Sequence, residues 1–292
     1  MKKKEKVVDI PEVSKPLSQP YVERQLIVVT DDAIVAASRQ VAINELQTKN
    51  AVNWARIGEF AIQAALGLTG DLITTVAEEA FAAWGRAREI GLEVVPISKS
   101  EASSLSFPPG HPRDGVLYIG HPALPDIYHT AAEFHRVTFE HKFSEAILLL
   151  TCLGATEINV AHVRGWSRDF STSLSIPVPT AEVSLQGEVG TTAKTGDSLL
   201  FQATLDGAKQ PELPGNLVWF HHEPTWQAIA KARLDFGLRD FSLNVSYNDD
   251  YGVNAGLKVA VAKTGLDLGG RFEDHVSTEW RISGKFKSAS TT

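Results

Sequence analysis

Apolar residues recur along this chain in two rhythms, and the change of rhythm divides it. Between Asp31 and Gly91 they return every three or four positions, the spacing of one helix face. Asp31 or Asp32 stands where a cap is needed for a helix running towards Gln47, and Asn50 or Asn53 can cap a second. Gly67 and Gly70 interrupt. Leu72, Val76, Ala80 and Ala83 then mark the buried stripe of a third helix, closed by Arg86, Arg88 and Gly91. A short strand follows at Leu92, Val94, Val95 and Ile97, and a stretch of serine and proline ending at Pro112 reads as loop.

Beyond residue 114 the rhythm becomes alternation, and it is written twice. Gly154 opens Gly-Ala-Thr-Glu-Ile-Asn-Val, and 83 residues later Gly237 opens Gly-Leu-Arg-Asp-Phe-Ser-Leu, so that Ile158 and Val160 fall on Phe241 and Leu243. At the same offset Val183, Leu185, Gly187 and Val189 match Leu266, Leu268, Gly270 and Phe272. After two residues of slippage Leu199, Phe201, Ala203 and Leu205 match Trp280, Ile282, Gly284 and Phe286. A helical stretch precedes each glycine, at 134–153 and 225–236. Before each helix a strand is expected, Val116-Leu117-Tyr118-Ile119 and Leu217-Val218-Trp219-Phe220, each running into a histidine and a proline. An insertion at 123–132 belongs to the first copy alone.

Two alternating segments complete the copies. Phe170, Thr172, Leu174, Ile176 and Val178 read as an edge strand beside Pro177 and Pro179. Their counterparts, Val253 to Ala262, fit a strand by alternation and a helix by alanine content; the repeat favours strand. The expected architecture is therefore α+β: a flexible arm at 1–25, a helical region at 26–100, a strand-helix-antiparallel meander unit at 114–207, its second copy at 215–287 and a tail at 288–292. Two copies about a pseudo-twofold axis would cover each other's sheet faces.

Composition narrows what such a protein does. Of 292 residues 43% are hydrophobic, enough for large cores, and the net charge of -7 with a pI near 5.7 excludes the basic face that nucleic acid requires. The lone cysteine, Cys152, excludes an intrachain disulfide and a cysteine-rich metal site, and a reducing cytoplasm is the simplest compartment. Lys2, Lys3, Lys4 and Lys6 are not followed by the apolar stretch of a secretion signal, and no run of eighteen uncharged apolar residues predicts a membrane helix.

Catalytic signatures fail one after another. His121, His129, His135 and His141 lack the spacing of a metal site, so no metal or other cofactor is expected. Ser167 sits in Gly-Trp-Ser-Arg-Asp, without the second glycine of a nucleophile elbow, and Gly190 to Gly196 lacks the order of a phosphate loop. What remains is a pair of equivalent positions, His121 and His222, each at a strand end before a helix. With Glu223 and the flanking Tyr118, Trp219 and Trp226 they are the candidate ligand-binding residues, although a histidine there also serves simply to satisfy helix amides, and aromatics there simply fill a core.

Three functions stay open. The first is a non-enzymatic module that binds a protein partner or its own copies through sheet edges. The second is a membrane-active, pore-forming effector that inserts its two alternating hairpins after a trigger. The third is a small-ligand receptor or enzyme with a pocket between the copies.

Overall fold

The computed structural model describes residues 21–36, 39, 75–166 and 199–288. The segments at 170–178 and 183–189, the first-copy loop at 190–196, the glycines at 67 and 70 and most of the expected arm lie outside them. In chain order the strands are β1 Leu26–Thr30, β2 Val94–Ser98, β3 Leu117–His121, β4 Leu124–Thr130, β5 Ala155–Arg164, β6 Leu199–Thr204, β7 Asp240–Tyr247 and β8 Thr278–Phe286. The helices are α1 Thr75–Glu89, α2 Lys99–Ala102, α3 Phe134–Cys152, α4 Pro224–Phe236 and α5 Ala255–Ala262. The described residues thus mix helices with two four-stranded sheets, an α+β protein. Its residues form two compact units, one of 1–135 with 251–274, the other of 136–250 with 275–292.

In the first unit the strand order is β2-β1-β3-β4, with β1 parallel to β2 and antiparallel to β3. The parallel pair needs a crossover, and α1 lies within it. Residues 26–30 fall inside the region expected to be helical, yet they form an inner strand of this sheet. Their unbroken run Leu-Ile-Val-Val lacks alternation because both of its faces are covered. Val28 joins Trp84, Leu117, Ile119, Val253, Leu257, Val261, Leu266 and Phe272 in one cluster. Ile27 and Val29 join Val95, Ile97, Tyr118 and Tyr128 in another, with Leu105 and Phe107 against them. The expected insertion at 123–132 supplies β4, which closes a hairpin onto β3.

The second unit is antiparallel throughout, in the order β6-β5-β8-β7. Phe139 and Phe143 of α3 meet the Trp280 ring edge-on, with centroids 4.9 and 5.0 Å away. Both α3 and α4 turn into strands at a left-handed glycine, Gly154 at φ 86° and Gly237 at φ 68°, where a Cβ would strain the backbone. Arg233, nearly buried, ties these corners together by donating to the carbonyls of Leu153, Leu238 and Lys287.

Across this sheet the residues matched by sequence lie in level rows. Phe201 pairs with Val160, Val160 with Ile282 and Ile282 with Leu243; one row along, Ala203, Ile158, Gly284 and Phe241 follow one another. Gly284 is required where it stands, because a Cβ there would lie 1.8 Å from the carbonyl oxygen of Glu157. The hairpins β5–β6 and β7–β8 therefore stand side by side in one sheet and in the same order. They do not face each other as two layers, the arrangement expected from the sequence.

Three expected strands do not form. Residues 217–219 are irregular and lead into a 3-10 turn, Phe220–His222, because the Glu145 carboxylate accepts the amides of Val218 and Phe220 that a neighbouring strand would have used. Residues 253–262 are not a strand: from Ala255 they form α5, whose first turn Asn254 caps by accepting from the amides of Gly256 and Leu257. Residues 266–272 make only a single bridge, Asp267 to Val116, since Gly265, Gly269 and Gly270 all hold positive φ and break the extended path.

Candidate functional site

The residues singled out from sequence divide between the two units. Tyr118 and His121 belong to β3 in the first, while Trp219, His222, Glu223 and Trp226 belong to the second. The Tyr118 hydroxyl is 2.6 Å from His111 Nδ1 and accepts from the Arg113 amide; burial pushes its pKa up to about 12, so it stays protonated. His121 is buried, its Nδ1 accepts from the Ala123 amide at 3.2 Å, and its ring lies edge-on to His129. The Tyr118 contacts hold the loop that precedes β3, and those of His121 hold the β3–β4 turn.

The second His-Pro corner is built as a clamp on α3. Glu145 takes the two amides already named, and Lys142 donates to the Ser246 carbonyl and forms an ion pair with Glu223. Trp219 Nε1 donates to His141 Nδ1 at 3.0 Å, and burial of His141 lowers its pKa, against the opposing pull of Glu145. His222 is exposed on the 3-10 turn, and Trp226, in the first turn of α4, is fully buried. Lys142 and Glu145 are buried charges satisfied on several sides, the condition under which such charges are tolerated. Among the described residues no group of three or more His, Cys, Asp or Glu could hold a metal ion.

A further departure from the expected meander lies in the connection between β7 and β8. A hairpin needs two to five residues, yet residues 248–277 intervene here, and 251–274 belong to the first unit. There Val253, Leu257, Val261, Leu266 and Phe272 are buried, whereas Val259 on α5 is 56% exposed. Gln25 donates to the Tyr251 carbonyl, and the imidazole of buried His135 donates from Nε2 to that of Val253.

The β7–β8 register runs from Asp240 opposite Lys285 to Tyr247 opposite Thr278 without a slip. Carried forward in the same register, it sets Val253 opposite Phe272, Leu257 opposite Leu268 and Val259 opposite Leu266. These share the face of Val245 and Trp280, which is the buried face of the sheet. The opposite face would pair Asn254 with Arg271 and Lys258 with Asp267. One segment therefore carries two patterns. The first is a capped helix that buries Leu257 and Val261 beside Val253. The second is the alternation of a hairpin, with one face apolar but for Thr264 near its tip and the other carrying Asn254, Lys258, Asp267 and Arg271. Alternation at 253–261 is the sequence signal; its significance depends on the register of β7 and β8, which only the fold supplies. Among the described residues no helix is long and apolar enough to cross a membrane.

Compared with known proteins, the chain matches no family model, no curated protein and no solved structure.

Proposed function

We propose that this chain is a self-assembling, membrane-active protein that stores a membrane-spanning β-hairpin as the helical connection between β7 and β8 until a trigger releases it. The observation that carries this reading is the register continuation: extended through 253–261 and 264–272, it sorts every large apolar side chain of the connection onto one face. Each of these arms approaches the roughly nine to eleven residues that a tilted strand needs to cross a bilayer. The matched sequence at 170–178 and 183–189, between β5 and β6, alternates in the same way and supports an internal duplication of the hairpin.

The energetics explain why release would wait for a membrane. Each of Val253, Leu257, Val261 and Phe272 gains about 1.5–3 kcal/mol from burial in the first unit. Stripped into water, the segment would lose that stabilisation. Against acyl chains it would recover it, with Lys258 and Asp267 turned to the opposite, wet face.

The test is dye release from phosphatidylcholine–phosphatidylglycerol vesicles at pH 7 and pH 5, comparing the wild type with Val259→Lys and Ala262→Lys. Val259 is exposed on α5, so lysine there leaves the stored state intact, but on the hairpin it adds a charge to the lipid face that costs about 2–4 kcal/mol at mid-bilayer. Release should fall more than tenfold for Val259→Lys and hold for Ala262→Lys, which falls at the hairpin tip. A module that binds partners through its sheet edges without entering a membrane would give no release with any of the three proteins.

A further inference from the structure

We infer that the partner of the β7 edge is the β6 edge of a second copy of this chain, joined in the register already seen inside one molecule between β5 and β8. The inference rests on the self-assembling reading above and deepens it. Among the described strands, β6 pairs with β5 alone and β7 with β8 alone, so both ends of the sheet are strand edges. β5 and β7 run in one direction, β6 and β8 in the other. A β6 strand laid on β7 is therefore antiparallel, and the alternation of directions continues without a fault.

The step of two strands makes the fit specific. Because β7 repeats β5 and β8 repeats β6 row by row, the β5–β8 junction within one copy is the template for a β7–β6 junction between copies. In that template Val160 pairs with Ile282, Asn159 with Ser283 and Ile158 with Gly284. The equivalents are Leu243 opposite Phe201, Ser242 opposite Gln202 and Phe241 opposite Ala203 of the next copy. The contact is head-to-tail, uses two different edges and leaves both available again at the ends of the assembly, so it closes into a ring or grows into a filament. Such closure is also what a spanning hairpin demands, since an open strand edge leaves backbone groups unsatisfied in lipid.

Cysteine pairing tests the register directly. In a Cys152→Ser background, Ser242→Cys and Gln202→Cys place single thiols on exposed positions of β7 and β6. Directly opposed strand residues have Cα atoms about 4.5–5.5 Å apart, within disulfide reach. On dye-loaded phosphatidylcholine–phosphatidylglycerol vesicles under mild oxidation, a mixture of the two single variants should give dimers, either alone should give none, and the double variant should give a ladder. Dimers of Ser242→Cys alone would mean like edges pair, which overturns the inference. Dye release without cross-linked mixtures would overturn it too while leaving the membrane reading intact. Cross-links without release would uphold the edge contact and sink the membrane reading; neither signal would sink both.

Discussion

β7 and α5 carry the same alternation and fold differently. In β7, Phe241, Leu243, Val245 and Tyr247 point into the core of the second unit while Asp240, Ser242 and Asn244 face out. Further along the chain, Val253, Leu257, Val259 and Val261 alternate as regularly, yet from Ala255 the backbone is helical. What separates them is not hydrophobic pattern but local chemistry and company. β7 is rich in aromatic and β-branched residues and has β8 as a partner across its full length. α5 has Asn254 as its cap, alanine at 255, 260 and 262, and a pocket in the first unit that accepts Leu257 and Val261, one turn apart. Alternation is thus a permission for strand, and context decides whether it is used.

The comparison can be broken from the strand side first. Trp280→Ala removes the ring against which Phe139 and Phe143 pack and should cost the second unit about 3–5 kcal/mol in urea unfolding. A loss under about 1 kcal/mol would mean that this sheet is not anchored by α3. From the helix side, Asn254→Ala removes the cap and should destabilise α5 by about 1 kcal/mol. Under the proposed function it should also quicken vesicle dye release about fivefold, because the stored state is what it weakens. Slower release would reverse the assignment of α5 as the stored form.

Acid acts on the clamp that carries β7. His141 is held neutral as the acceptor of Trp219 Nε1, and burial lowers its pKa below the ordinary 6.5. The unfolded chain therefore binds this proton more readily, so the stability His141 contributes is full above pH 6.5 and is lost as pH falls from 6.5 towards its lowered native value. Unfolding free energy should therefore drop as pH falls below about 6.5. His141→Gln should flatten that part of the curve; an unchanged slope would assign the acid sensitivity elsewhere. The smallest stability effect belongs to Val259→Lys, within about 0.5 kcal/mol by thermal unfolding, since the site is exposed.

Much of this fold is legible in the sequence. Both glycine corners, the helices before them and the strands at 155–164, 199–204, 240–247 and 278–286 follow from the helical and alternating spacing of apolar residues. The inner strand β1 is not, because a strand covered on both faces loses its period and here stands directly beside a helical start at Asp31. The strand expected at 217–220 fails for a reason no local pattern carries: Glu145, more than seventy residues earlier, takes its amides. The candidate histidines do lie at turns, but His121 is buried in one unit and His222 exposed in the other. The clamp formed by Lys142, Glu145 and Glu223 escapes sequence reasoning because Glu223 and the amides that Glu145 accepts lie far along the chain from α3.

Whether residues 253–261 change from helix to strand at a membrane is tested most directly by an environment-sensitive fluorophore placed in turn at each of these positions. In a Cys152→Ser background, single cysteines from 253 to 261 are labelled and read in buffer and on phosphatidylcholine–phosphatidylglycerol vesicles. In buffer the emission should follow a helical period, with 253, 257 and 261 shielded. On vesicles it should change to a period of two, with every odd position in lipid and every even one in water. A helical period that persists on vesicles which have released their dye would contradict the conversion.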